Sequence, residues 1–400
     1  MKRIARILLW VAAIALVVFG VGWLAITGYL NSSYGQRMAS QQLSELVGTT
    51  VEVSRLGVGT NTTSITLRIP DPAPESQTDL IKIGSLEADV SLLNLLTSQV
   101  APTTVTATDV EIMLRFDADG NRLTVFPQFA KSGGPFALPT IQFSNARIRI
   151  QQIGHPEFDL SGIVGQFKRD GESYALTGEV IEPKWGKWKL TGRLNADASV
   201  GQFQLQSDEA TLSDPLLRSI PYVPSEVWDH LSASGQTVAT VTLTLKPGQK
   251  LLGYRVDLRP KKATLSFPSA EIAVSNFVGQ ILVEDGQVHV NDAVMQLADG
   301  TVSLNGSCNY KNPERVIATN VKSKRVDIRR LPESWGLPKK MEGKLTGSAD
   351  LRLHINPEGK IDPRGTGLGQ LEDAKFAGLD AKIELKLSGR GGRFRFDANE

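Results

Sequence analysis

Four hundred residues carry 44 Lys and Arg against 42 Asp and Glu, so there is neither a basic excess for nucleic acid nor an acidic tail. Aromatic residues are 6%, too few for base-stacking platforms, and charged residues are 22% against 41% apolar, a composition that folds. The single cysteine, Cys308, excludes an intrachain disulfide and a cysteine-rich zinc site, and His155, His230, His289 and His354 are too far apart for a local metal-binding pair.

Ile7 to Ile26 is a run of 20 residues without a charge. As a helix of about 1.5 Å per residue it spans about 30 Å, the thickness of a bilayer core. Lys2, Arg3 and Arg6 precede it, the next basic residue is Arg37, and Trp10, Trp23 and Tyr29 stand near its ends. This bias predicts a single-pass signal anchor with a cytoplasmic N-terminus and the bulk of the chain outside, which in a diderm bacterium is the periplasm. A cleaved signal peptide has a shorter apolar region and a small-x-small site, to which Ala25-Ile26-Thr27 is a poor match. A lone thiol suits an oxidising compartment.

Next comes a short amphipathic helix just outside the membrane, Asn31 to Leu46, with Tyr34, Met38, Leu43 and Leu46 on one face and Gly48 closing it. From Thr50 the pattern changes to period two. Thr237 to Leu245 places Ala239, Val241, Leu243 and Leu245 on one side of a strand, and Leu379 to Leu387 alternates throughout. Val110 to Phe116, Tyr254 to Leu258 and Leu351 to Ile355 follow the same rule, which predicts half-buried antiparallel strands. Asp119-Gly120-Asn121, Arg169-Asp170-Gly171, Glu284-Asp285-Gly286 and Asp299-Gly300 read as tight turns. Helical pattern is scarce: Ser91 to Ser98, a proline-opened turn after Ser213, and a similar piece from Pro224.

Small motifs recur. Leu, a small polar residue and Gly appear at Leu160-Ser161-Gly162, Leu176-Thr177-Gly178, Leu190-Thr191-Gly192, Leu304-Asn305-Gly306, Leu345-Thr346-Gly347 and Leu387-Ser388-Gly389. Glycine inside a strand marks a bulge, a local twist or a close backbone approach. A polar pair before Ala or Val appears at Thr108-Asp109-Val110, Ser144-Asn145-Ala146, Asn291-Asp292-Ala293 and Glu372-Asp373-Ala374, and the apolar register flips at Asn145, as a bulge predicts. A larger unit repeats loosely: Pro221, Pro224, Trp228 and Gly235 before one alternating strand, and Pro332, Trp335, Pro338 and Gly343 before another. Together these predict an array of related β units. The expected organisation is 1–28 cytoplasmic tip and anchor, 29–48 juxtamembrane helix, 49–210 first β module and 211–400 second β module.

An anchor, an amphipathic helix, and Gly48-Thr49-Thr50-Val51-Glu52-Val53 entering a strand resemble the start of an AsmA-family protein, of the AsmA/TamB-like repeating β-groove group. Val90-Ser91-Leu92-Leu93-Asn94-Leu95-Leu96 resembles its strand-to-short-helix step, and Gly343 to Leu351 its glycine-spaced strand openings. The layout is similar over nearly the whole chain, although the full bridges of the family are much longer. The resemblance implies a mostly β fold: an N-terminal transmembrane helix, then a long curled antiparallel sheet with a few short helices. It also implies an inner-membrane protein whose apolar concave face carries phospholipid acyl chains toward the outer membrane, with outer-membrane or envelope assembly proteins as partners.

No catalytic motif is present: no Gly-x-Ser-x-Gly, no phosphate loop and no dinucleotide fingerprint. Asp109, Asp292 and Asp373 recur at equivalent places and read as bulge or turn residues. His289 and His354 fall on polar strand faces. Trp185, Trp188, Trp228 and Trp335 read as core anchors before carbohydrate platforms. Cys308 reads as an inert strand or turn residue. No enzyme, cofactor or metal is expected, and no nucleic acid. The candidate lipid-facing groove is Val241, Leu243, Leu245, Leu351, Leu353, Ile383, Leu385 and Leu387. The rival class is an envelope scaffold or assembly factor that holds no lipid, since a packed sheet face and a lipid-bathed one alternate alike.

Overall fold

The computed structural model describes residues 32–398 except 48, 59–62, 72–77, 90–102, 119–120, 122, 125–138, 196–199, 222, 224–227, 230, 247–252, 285, 310–315, 336, 356–360 and 390–393. The apolar run at 7–26 and the helix expected at 91–98 lie outside the described residues. Among the described residues no helix is long and apolar enough to cross a membrane. The chain is mostly β and divides into two compact units, Met1–Val180 and Ile181–Glu400. The division falls after Val180, and the module boundary expected at 210/211 lies within the second unit.

Among the described residues the first unit holds one helix, α1 (Ser33–Val47), and strands β1 (Glu52–Val58), β2 (Thr63–Pro70), β3 (Asp79–Ala88), β4 (Thr104–Phe116), β5 (Thr140–Gln152), β6 (Phe158–Asp170) and β7 (Ser173–Glu182). Each strand pairs with the next in sequence. The pairings are antiparallel save one: β4 and β5 run parallel, Val105 opposite Ile141. This corrects the antiparallel expectation. A parallel pair needs a long connection, and residues 117–139 join the two strands; the tight turn expected at Asp119-Gly120-Asn121 falls at its start, where Asp117 N–H donates to Asn121 O (2.9 Å) and Leu123 N–H to Arg115 O (2.9 Å).

Helix α1 lies along β1. Ala39 and Leu43 pack on a small core of Val51, Val53, Leu56, Leu67 and Ile69. Among the described residues β1 has one strand partner, β2, so its other edge carries unpaired N–H groups. Two helix serines satisfy them: Val51 N–H donates to Ser44 Oγ (2.8 Å) and Val53 N–H to Ser40 Oγ (2.9 Å). Tyr34 and Met38 point away, 62% and 52% exposed. The expected single face of Tyr34, Met38 and Leu43 is therefore wrong. At about 100° per residue, Leu43 falls opposite Tyr34. The side chain of Leu46 lies outside the description.

The second unit contains β8 (Gly186–Asn195), β9 (Gly201–Leu212), α2 (Asp214–Arg218), β10 (Ser232–Leu245), β11 (Gly253–Phe267), β12 (Ile272–Glu284), β13 (Gln287–Leu297) and β14 (Gly300–Asn309). It continues with β15 (Val316–Asp327), β16 (Met341–Ile355), β17 (Ile361–Phe376), the two-residue β18 (Leu379–Asp380), β19 (Ile383–Gly389) and β20 (Phe394–Ala398). Its strands pair antiparallel in chain order, with β19 resting on β17 past the short β18.

One end of this sheet is closed by a core. Ala233, Leu265, Phe277, Met295, Val326, Met341, Leu371 and Ile383 belong to it, each at most 9% exposed. Its cover comes from Leu217 of α2 and from Ile328 and Leu331, in and after the 3-10 turn Ile328–Arg330. Trp228 and Trp335 pack against it, as expected of core anchors. The loose repeat is thus a physical unit. Each copy places a helical turn and a Trp over the core and then enters a strand through a glycine at positive φ, Gly235 at 131° and Gly343 at 143°. A Cβ on Gly235 would stand 3.0 Å from Ala263 Cα of the next strand.

Candidate functional site

Three of the four recurring polar residues mark bulges, and all four share a left-handed backbone. Asp109, Asn145, Asp292 and Asp373 lie inside strands with φ of 49–54°, and the pairing register shifts at or beside Asn145 and Asp292. The register runs past Asp109 without a shift, whereas Asn145, Asp292 and Asp373 each mark the insertion of one residue, so the apolar side chains after it return to the same sheet face. Three more, Lys262, Asn276 and Arg325, do the same without having been singled out; the signal was a polar residue before a buried Ala263, Phe277 or Val326.

Register then shows which side chains share a face, because directly opposite residues do. In the second unit, Val241 is opposite Val256, which is opposite Val283. The row continues through Val288, Cys308, Ile317 and Leu353. A parallel row runs Ala239, Leu258, Ile281, Val290, Gly306, Thr319, Leu351. Leu243 stands between Phe203 and Tyr254, and Leu245 is opposite Gly201. Across β16 to β19, Ala349, Gly367 and Leu387 form one row, Gly347, Gly369 and Leu385 another, and Leu345, Leu371 and Ile383 a third. All eight candidate residues therefore lie on one face. At about 4.8 Å between strands, β10 to β16 carry the rows over about 30 Å.

That face is uncharged. From β10 to β16 no Asp, Glu, Lys or Arg occupies it among the described residues. Charge sits on the other side, where Arg255 pairs with Glu284 (2.9 Å) and Gln280 donates to Asp257 (2.8 Å). His289 and His354 are on that polar side, as expected, and an open depression of about 820 Å³ there is lined by Asn305, Ser307, Asn320, Arg352 and His354. The ion pair of Arg149 with Glu111 (2.8 Å), whose hydrogen bond holds the carboxyl below the usual carboxylate range, belongs to the first unit.

The face has two zones. Ile383 is 6% exposed and belongs to the closed core, and Leu385 packs against that core. Val241, Leu243, Leu245, Leu351, Leu353 and Leu387 are half-buried, with no layer of helix across them among the described residues. In the second unit the recurring Leu-x-Gly steps at Leu190, Leu304, Leu345 and Leu387 belong to the same face, because residues two apart in a strand point alike. Its glycines let backbones approach: a Cβ on Gly347 would fall 2.6 Å from Gly369 Cα. The sequence missed the part played by β12 to β15. Ile281, Val283, Val288 and Val290 alternate, but in runs too short to read alone.

Trp188 is tied locally, its Nε1 donating to Trp185 O (2.9 Å). Cys308 is half-buried in strand β14, in the middle of the apolar row. Among the described residues no group of three His, Cys, Asp or Glu is placed to hold a metal. The arrangement offers a mostly apolar, uncharged surface whose polar groups are a few hydroxyls, such as those of Thr319 and Tyr254. No protein-family model, characterised protein or solved structure matches the chain.

Proposed function

We propose that the chain is an inner-membrane-anchored protein facing the periplasm, and that the uncharged face of its second unit holds phospholipid acyl chains on their way toward the outer membrane. The observation that carries this reading is the half-exposed apolar row continuing past the closed core. A contiguous apolar surface of this length is unusual on a monomer in water. Burying each of its Leu, Ile or Val side chains is worth about 1.5–3 kcal/mol. Acyl chains bury them without directional bonds, which suits an uncharged face with few polar groups. The reading also draws on the resemblance in layout to the AsmA family, as a curled groove behind a membrane anchor, and on the uncharged run at 7–26 with Lys2, Arg3 and Arg6 before it. On this reading the protein binds and does not catalyse.

A photoreactive residue at Leu243 or Leu353 is expected to crosslink phospholipid, and one at Ser307, on the polar face, is expected not to. Leu243→Asp is expected to abolish the crosslink while the chain stays folded. Unfolding by Leu243→Asp, with no lipid captured from either position in the parent, would leave an ordinary core face and the envelope scaffold as the function. Protease added to spheroplasts is expected to remove the bulk of the chain; its protection would overturn the topology.

A further inference from the structure

The bonds from Ser40 and Ser44 to β1, with Ala39 and Leu43 on the core, fix the rotation of α1. Its outward face is therefore set, and at about 100° per residue it presents Tyr34, Arg37, Met38, Gln41 and Glu45 in that order. The face changes character along its length. Its first two turns expose Tyr34 and Met38 with Arg37 between them. Its last turns are polar, and Gln41 Nε2 donates to Glu45 Oε1 (3.4 Å).

Six residues, 27 to 32, separate the uncharged run from the start of α1. Even fully extended they reach at most about 25 Å. An exposed tyrosine and methionine that close to a membrane span are within range of the headgroup layer, where aromatic side chains settle and an arginine meets phosphate. From Tyr34 to Glu45 the helix rises about 16 Å, more than the about 5–10 Å to which an interfacial helix sinks. An inclined helix thus leaves the layer within its own length.

We propose that the first two turns of α1 are seated in the bilayer interface, Tyr34 and Met38 inserted and Arg37 at the phosphates, and that the helix then emerges so that Gln41 and Glu45 stand in water. The helix joins two contacts: lipid on one side and the open edge of β1 on the other. The proposal rests on the anchor reading of residues 7–26 but not on lipid transport.

The test uses the full chain with Cys308→Ser and single cysteines replacing Tyr34, Met38, Gln41 or Glu45. Each is spin-labelled in vesicles of phosphatidylethanolamine and phosphatidylglycerol and probed with oxygen, which concentrates in lipid, and a nickel chelate, which stays in water. The expected result is a reversal along the helix: oxygen dominates at 34 and 38, the chelate at 41 and 45. Chelate access at all four positions, in chains that still float with the vesicles, overturns the proposal and leaves the anchor standing. So does shielding of 34 and 38 from both reagents, which would mean a protein cover. Chains that do not float with the vesicles overturn both.

Discussion

A left-handed backbone costs an L-residue about 1–2 kcal/mol, least for Asn and Asp. Asp292 adopts it at φ 49° inside β13, where its N–H donates to Asn305 Oδ1 (2.7 Å). Asp292→Val is expected to lower stability by about 1–2 kcal/mol, and Asp292→Gly to change it far less, as read from urea midpoints. The bulges at Asn145, Asp292 and Asp373 were legible because a polar pair before Ala recurs there, whereas Asn276, after Ser275 and before Phe277, escapes that pattern. Lys262 and Arg325 were not legible, since nothing in a lysine or arginine favours φ near 56°; cross-strand register imposes it. Asp327 offers a second test. Its carboxylate accepts the Arg329 N–H (3.0 Å) at the start of a 3-10 turn and pairs with the Arg329 guanidinium. The side-chain bond from Arg329, with smaller help from the backbone bond, holds its pKa below the usual value. A carboxyl whose pKa is lower folded than unfolded adds stability above the unfolded pKa and loses it as pH falls through the folded one. Asp327→Asn is expected to be less stable at pH 7 and to lose less stability than the parent between about pH 5 and pH 2.

At the scale of elements, α1 and β1 form one object. Replacing Ser40 and Ser44 by alanine strands the N–H groups of Val51 and Val53, at about 1–3 kcal/mol for each if buried. The expected outcome is faster hydrogen exchange at those two amides, with the β2–β3 ladder unchanged. Little of this was legible. Amphipathic pattern locates a helix, but it ranks serine as polar and cannot show a hydroxyl closing a strand edge. The parallel pairing of β4 and β5 was hidden likewise, because alternation is the same for strands of either direction.

Over the whole molecule, alternation revealed which side chains share a face and was silent on what covers them. Seven of the eight candidate residues are half-buried, whereas Ile383 is shut in a core whose cover comes from distant turns. The repeated Pro, Trp and Gly hinted at that cover before any strand order was known. The difference is measurable: Ile383→Ala is expected to cost about 2–5 kcal/mol, and Leu243→Ala, at an open position, well under that. Pairing in chain order has a consequence for synthesis. From β9 onward each strand of the second unit, save β19, which pairs with β17, finds its template in the strand made just before it, so the ladder can grow as the chain appears. The core cannot. Ala233 and Leu265 belong to the same cluster as Met341, Leu371 and Ile383, and the early members wait uncovered until the late ones arrive. In that interval the nascent sheet shows its whole apolar face to water, the condition in which chains aggregate. Dependence on a holding chaperone should therefore peak while residues 233–340 are made and vanish once β19 has docked.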